Sequence, residues 1–204
     1  MLSKAPLDRP QPIPESPEAG MAQYEQIAAD VETVIRSEKP LYKGPDGKLR
    51  TTMVVLSTML YESNFRYDVD YGIGPSGKGD NGRSVCMMQI NLGQGRSISW
   101  NVVHDRAAMP TDPTYEIERG WTAKELLADR QKCIRTGLRY IRMSFASCHH
   151  MPEQDWLRAY VSGACVYGAE TSAGRIGLAK GWYRKHRPDF DDTILLSEPS
   201  EKDE

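Results

Sequence analysis

Glu62 is the residue in this sequence whose position best suits proton-transfer chemistry. It follows an apolar run over residues 53–60 and lies at the C-terminal end of the helix that this run predicts. Burial raises the pKa of a carboxyl group, and the negative end of a helix dipole acts in the same direction. A carboxylic acid that keeps its proton near neutral pH is suited to general acid catalysis. The alternative interpretation is that Glu62 faces solvent where the helix ends.

Three short motifs occur in order along the chain, the first of which contains this glutamate. They are "ESNF" at Glu62–Phe65, "CMMQIN" at Cys86–Asn91 and "AYVSG" at Ala159–Gly163. This set resembles the soluble, goose-lysozyme-like lytic transglycosylases, whose members carry E-S-x-F, then G-L-M-Q-I, then A-Y-N-x-G. The segment "TGLRYIRMSF" at 136–145 is also similar to that family. The resemblance covers roughly residues 45–185.

The resemblance implies a peptidoglycan-cleaving enzyme in which Glu62 is the single catalytic acid and base. It would protonate the glycosidic oxygen between N-acetylmuramic acid and N-acetylglucosamine. It would then take a proton from the muramoyl C6 hydroxyl, which attacks the anomeric carbon and closes a 1,6-anhydro ring. One carboxyl group can serve both steps because an acid that has given up its proton is a base. Such a reaction is an exception to the usual two-carboxylate pattern of glycosidases.

Further site residues follow from the same motif matches. Tyr160 corresponds to the family tyrosine whose hydroxyl bonds to the catalytic glutamate, although on its own it would be interpreted as a core aromatic residue. Gln89 corresponds to a glutamine that lines the sugar groove, where its amide can both donate and accept hydrogen bonds. The matches also place three neighbours among the substrate-binding residues: Ser63, Met88 and Asn91. Of these, Met88 is expected to form the floor and core of the site, and Ser63 is equally well explained as a polar residue at the helix end.

The sequence departs from the family pattern in three places. Cys86 and Met87 replace the Gly-Leu pair of the middle motif, and a glycine there allows close backbone approach. Val161 replaces the asparagine of the last motif. The stretch between Glu62 and Gln89 is also longer than in the family, and the added part is the glycine-rich "YGIGPSGKGDNGR".

The acidic residues around this glycine-rich stretch support an alternative reaction. If Asp70 or Asp80 faces the substrate beside Glu62, it could activate water, and the enzyme would be a hydrolytic muramidase of the inverting type. The simpler interpretation is that these aspartates serve turns next to glycine. A third possibility, of a different class, is a non-catalytic glycan-binding or structural protein with the same fold.

The hydrophobic pattern predicts a mainly α (α+β) protein, which the resemblance specifies as a lysozyme-like helical bundle with a small glycine-rich β or loop insertion around the cleft. We expect a disordered, proline-rich leader over residues 1–20, one catalytic domain over 21–190 and an acidic tail over 191–204. Predicted helices cover 21–38, 49–63, a segment from the Thr122 capping box to Phe145, 153–167 and 172–187. Residues 66–85 and 93–120 should be irregular.

The composition of the chain limits the classes of partner that it is expected to bind. The net charge of −2 gives no basic footprint for nucleic acid, and no apolar run is long enough to span a membrane. The expected partners are peptidoglycan glycan strands, and no cofactor or metal is expected. The N-terminal segment lacks an apolar h-region, so it does not predict a secretory signal peptide. Action at the bacterial cell wall, in the periplasm, would then require a holin, a virion or a secretion machine.

The four cysteines are scattered, and none forms a zinc-binding motif. They are Cys86, Cys133, Cys148 and Cys165. The sequence leaves the disulfide pairing open, with one restriction. Cys148 lies near the bend between two predicted helices, and Cys165 lies about eleven residues beyond that bend, which is about 17 Å along a helix. A disulfide requires Cα atoms within about 7 Å. The pairing of these two residues is therefore disfavoured unless the second helix breaks early, near Gly163.

Overall fold

The computed structural model describes residues 16–74, 77–92 and 121–187. The predictions for residues 1–15, 93–120 and 188–204 lie outside these ranges. The elements in chain order are α1 Pro17–Ser37, α2 Gly47–Ser63, α3 Tyr67–Tyr71, β1 Ser84–Val85, β2 Ile90–Asn91, α4 Ala123–Ala128, α5 Arg130–Cys148, α6 Arg158–Ser162 and α7 Ala169–His186. Two short 3₁₀ turns lie at 80–82 and 153–155. The prediction of a mainly helical protein is confirmed.

Helix α1 begins inside the segment that was expected to be a disordered leader. Ser16 is its N-cap, because the Ser16 hydroxyl accepts a hydrogen bond from the backbone N–H of Ala19, and Pro17 occupies the first helical position. The apolar stripe of α1 faces the core with Ile27, Val31, Val34 and Ile35 buried. The local cap therefore extends the helix four residues beyond the predicted start.

Helix α2 is the central helix of the core and ends next to Glu62. Residues 53–56 and Met59 are buried, which is consistent with the broad apolar face of this segment. The helix ends at Asn64, which adopts a left-handed conformation with φ 53° while its N–H bonds to the carbonyl of Leu60. Glu62 is therefore in the last turn, as predicted.

The helix predicted from Thr122 to Phe145 is two helices. The capping box is present, with the Thr122 hydroxyl accepting from the N–H of Glu125 and the Glu125 carboxylate accepting from the N–H of Thr122. Asp129 then adopts an extended conformation and caps a new helix by accepting from the N–H of Lys132. This second cap interrupts an apolar pattern that continues across the break.

The helix predicted over 153–167 is also wrong in length. A 3₁₀ turn comes first, and α6 covers only Arg158–Ser162 before Gly163, at φ 82°, ends it. The chain turns back at this point, so that Cys165 approaches the end of α5. Cys148 and Cys165 form a disulfide with a Cα–Cα distance of 5.6 Å. The early break near Gly163, which the sequence analysis gave as the condition for this pairing, is present and allows the disulfide to form.

The segment "SVCMMQIN" forms a tight antiparallel hairpin. Ser84 pairs with Asn91 and Val85 with Ile90. The turn between the strands contains Cys86 at φ 59°, a left-handed conformation that favours glycine. The family glycine is thus replaced by a residue that takes a glycine-like conformation, and a disulfide to Cys133 on α5 holds it there.

The core lies between α2, α5, α7 and the hairpin. Its fully buried side chains include Met59, Met87, Ile134, Leu138 and Leu157. Within the described ranges, none of the helices combines the length and the hydrophobicity that crossing a membrane requires.

Candidate active site

A cleft of about 540 Å³ opens beside Glu62. The last turn of α2 supplies Glu62 to its lining, and α5 supplies Tyr140. The hairpin region contributes Gly79, Asp80, Ser84, Gln89, Ile90 and Asn91, and the segment 159–163 lines the opposite side. The cleft therefore brings together residues from all three motifs that the sequence analysis singled out.

The Glu62 carboxylate is held by an arginine from α7. Its side chain is 19% exposed, and the Nη2 of Arg175 donates a hydrogen bond to its Oε1 at 2.6 Å. Arg175 is itself buried, with its side chain 6% exposed. Glu62 is thus an almost enclosed carboxylate with one charged partner.

The pKa of Glu62 is raised above its ordinary value. Loss of hydration on burial is the largest cause, and the negative charge of Asp80 adds to it. The positive charge and the hydrogen bond of Arg175 act in the opposite direction but do not cancel the burial effect. The predicted direction is confirmed, and the environment favours a protonated carboxyl group at higher pH than a solvated one.

Tyr160 lies in the cleft, but its hydroxyl does not bond to Glu62. It donates instead to the backbone carbonyl of Met88 at 2.6 Å. Burial, followed by the nearby charge of Glu62, raises the pKa of Tyr160 well above its ordinary value, so the phenol stays neutral. The expected tyrosine–glutamate hydrogen bond is therefore replaced by one that ties α6 to the hairpin turn.

Gln89 and Asn91 both line the cleft. The side-chain amide of Gln89 donates to the carbonyl of Cys86 at 3.1 Å and lies directly against Gly79, where an added Cβ would come within 2.3 Å of Oε1. The side-chain amide of Asn91 donates to a carboxylate oxygen of Asp80 at 3.1 Å. These amides stabilise the hairpin rim and line the cleft, where a bound molecule could contact them.

Ser63 and Met88 do not line the cleft. The Ser63 hydroxyl donates to the carbonyl of Met59 at 2.8 Å and accepts from the N–H of Phe65, so it completes the end of α2. The Met88 side chain is fully buried and packs against Gly137. Ser63 therefore fits the helix-end alternative and Met88 fits the expected core position, and neither is among the residues that line the cleft.

The two candidate second carboxylates lie in different places. Asp80 lines the cleft with Glu62, and hydrogen bonds from Ser84 and then Asn91 lower its pKa. Asp70 pairs instead with Arg130 at 2.6 Å, and both line a separate pocket. Asp70 therefore does not act beside Glu62, because its carboxylate pairs with Arg130 in a separate pocket.

Arg175 is the site residue that the sequence analysis missed. It lies 113 positions from Glu62, so no local motif links the two. A signal was nevertheless present. The buried face of α7 carries Ser172, Arg175, Ile176, Ala179 and Trp182, and an arginine at a core position of such a stripe requires a buried partner.

No group of three or more histidine, cysteine, aspartate or glutamate side chains within the described ranges could hold a metal ion. Comparisons of the chain with protein-family models, curated proteins and solved structures give no match. The geometry of the cleft and the motif resemblance therefore carry the functional interpretation.

Proposed function

We propose that the protein is a peptidoglycan-cleaving lytic transglycosylase with a lysozyme-like fold and with Glu62 as its acid and base. The observation that carries this proposal is a single enclosed carboxyl group with a raised pKa, opening onto a polar cleft of about 540 Å³. Buried carboxyl groups of this kind serve as general acids in glycosidases. A cleft of this size accommodates only part of a glycan strand.

In the proposed reaction Glu62 donates its proton to the glycosidic oxygen as the bond from the muramoyl anomeric carbon breaks. The muramoyl C6 hydroxyl then bonds to that carbon and gives its proton to the Glu62 carboxylate. The products are a 1,6-anhydromuramoyl end and an N-acetylglucosamine with a free 4-hydroxyl. No water is consumed, and Glu62 ends in its starting protonation state.

Asp80 supports a second candidate, a hydrolytic muramidase. Glu62 and Asp80 line the same cleft, and their surroundings shift the two pKa values in opposite directions. A protonated acid beside an ionised base is the arrangement that an inverting glycosidase uses to activate water. In that case the product would carry a reducing muramoyl end.

Mass spectrometry of digested peptidoglycan tests both candidates. Anhydromuropeptides support the transglycosylase, and reducing muropeptides support the hydrolase. A digest without soluble fragments would indicate a glycan-binding or structural protein.

The matched variants are Glu62→Gln and Glu125→Gln. The first should abolish cleavage while leaving the circular dichroism spectrum unchanged, because glutamine cannot donate an acidic proton. The second alters an exposed glutamate of the capping box and should retain cleavage. Wild-type cleavage by Glu62→Gln would refute the assignment of Glu62.

The proposed partner is peptidoglycan, and the proposed place of action is the bacterial cell wall. Delivery by a holin, a virion or a secretion machine remains part of this proposal. A lysis assay tests the need for delivery by adding the protein to intact cells and to permeabilised cells. Lysis of the permeabilised cells alone would support that need.

A further inference from the structure

The Glu62 carboxylate presents two oxygens in different situations. Oε1 accepts the hydrogen bond from Nη2 of Arg175 at 2.6 Å. Within the described residues this is the only hydrogen bond of that carboxylate. Oε2 is therefore the oxygen left to exchange a proton with a molecule in the cleft.

Arg175 also lies next to an aromatic ring, that of Tyr61. Its guanidinium carbon lies 5.2 Å from the ring centroid of Tyr61. Tyr61 in turn lies over Gly174, where an added Cβ would come within 2.7 Å of the tyrosine hydroxyl oxygen. The ring of Tyr61 therefore lies close both to the guanidinium and to the backbone of α7 at Gly174.

The other hydrogen-bond donors of Arg175 include two that are unsatisfied. Its Nε and Nη1 are buried and have no hydrogen-bond partner within the described residues. Burying an arginine without satisfying its donors is costly, and a buried ion pair is weak evidence for stability. The one bond that Arg175 makes is to the candidate catalytic residue, so the contact is better explained by the chemistry of Glu62 than by stability.

We propose that Arg175 is a positioning residue that anchors Oε1 of Glu62, directs Oε2 to the glycan and confines cleavage to lower pH. This role rests on the proposed function of Glu62, whereas the contact itself does not. The guanidinium stabilises the carboxylate that remains after the proton is donated. Arg175 thus strengthens Glu62 as an acid and weakens it as a base.

The charged and titratable groups around Glu62 support a simple titration. They are Arg175 on α7, Asp80 beside the hairpin, Tyr140 on α5, Tyr160 on α6 and Tyr61 on α2. No histidine is among the described residues that line the cleft. Arginine stays charged throughout the accessible range. The alkaline limb of the pH profile should therefore report the proton of Glu62.

The experiment compares Arg175→Met with Arg175→Lys in the full chain. Carbon NMR of glutamate carboxyl groups, assigned with Glu62→Gln, gives the titration midpoint of Glu62 in each protein. The pH profile of cleavage of a soluble peptidoglycan oligosaccharide gives the alkaline limb. Arg130→Met is the control, since it removes another buried arginine–carboxylate pair that does not line the cleft.

We expect Arg175→Met to raise both the midpoint and the alkaline limb by about 1–3 pH units. We also expect kcat at the optimum to fall by about 10²-fold because the carboxyl group loses its orientation. KM should change little, since Arg175 does not line the cleft. Arg175→Lys keeps the charge, so it should shift the limb less. Arg130→Met should leave the midpoint of Glu62 unchanged.

An unchanged midpoint in folded Arg175→Met would overturn the proposal. A midpoint that rises without a matching change in the alkaline limb would also overturn it, because the proton of Glu62 would not control cleavage. If the midpoint rises but wild-type protein cleaves no glycan at any pH, the proposed function fails while the anchoring contact holds. If Arg175→Met does not fold, the test uses Arg175→Lys. A fall in kcat at unchanged KM in this variant supports the proposal, and an unchanged kcat overturns it.

Discussion

At the residue scale, Glu62 should reduce stability as its carboxyl group ionises. Its pKa is raised in the folded protein relative to the ordinary value of 4.5. The folded state therefore holds the proton more tightly than the unfolded state. By linkage, the free energy of unfolding falls as the pH rises from about 4.5 through the folded pKa of Glu62.

Replacing Glu62 by Gln should remove this pH-dependent loss. Urea unfolding with intact disulfides, at about pH 4 and about pH 8, would give the free energy of unfolding of variant and wild type. We expect the difference, variant minus wild type, to become more positive at the higher pH. An unchanged difference would contradict the raised pKa of Glu62.

Glu125→Gln is the control with the opposite sign. The hydrogen bonds of the Thr122 backbone N–H and side chain lower the pKa of Glu125, so its carboxylate stabilises the folded state above its ordinary pKa. This contribution is lost as the pH falls through the lowered pKa. The difference for Glu125→Gln should therefore become more negative at higher pH.

At the element scale, the approach of α5 to the hairpin turn depends on Gly137. A Cβ added there would lie 2.4 Å from Cε and 2.7 Å from Cγ of Met88. The carbonyl of Met88 holds the hydroxyl of Tyr160. Any displacement of the turn is therefore passed to the opposite wall of the cleft.

Gly137→Ala should lower the free energy of unfolding by about 1–3 kcal/mol through overpacking. It should also lower the rate of glycan cleavage, because Met88 and Tyr160 move together. Gly177→Ala on α7 is the control, since a Cβ there meets no atom within 4 Å. That change should stabilise the protein by about 0.5–1 kcal/mol. Equal effects of the two variants on cleavage would contradict the role of this close approach.

How much could be predicted from sequence depends on whether the cause of each feature is local. The stripe of α1, the end of α2 near Glu62 and the Thr122 cap are local patterns, and the structure contains all three. The break at Asp129 and the short α6 were missed because a single cap and a single left-handed residue outweighed the apolar pattern. The bond between Arg175 and Glu62 joins distant segments, and only the buried position of Arg175 hinted at it.

At the scale of the whole molecule, the charge network around Arg130 is separate from the cleft. Arg130 lies between Asp30 on α1 and Asp70 on α3, at 2.7 and 2.6 Å. It thereby links α5 to two other helices. The cleft with Glu62 is lined by other residues. We therefore expect Asp70 to affect stability without affecting cleavage, whereas Glu62 should affect both.

Asp70→Asn should lower the free energy of unfolding by about 3 kcal/mol, the lower end for breaking a buried pair, because Arg130 keeps Asp30. Its cleavage rate should match wild type at temperatures where both are folded. Asp80→Asn, in the cleft, should lower stability less than Asp70→Asn, because Asp80 is exposed, although Ser84 and Asn91 donate hydrogen bonds to its carboxylate. A loss of cleavage in folded Asp70→Asn would contradict this separation.

Both disulfides end on α5, at Cys133 and Cys148. One fixes the hairpin turn and the other fixes the chain just after α6, so each rim of the cleft is covalently tied to the same helix. Their loop closures of 47 and 17 residues contribute about 4 and about 3 kcal/mol on chain-entropy grounds. A thiol-rich compartment favours the reduced form of both bonds. The redox state of the surroundings would then decide whether the two rims are held at a fixed spacing before any ligand enters the cleft.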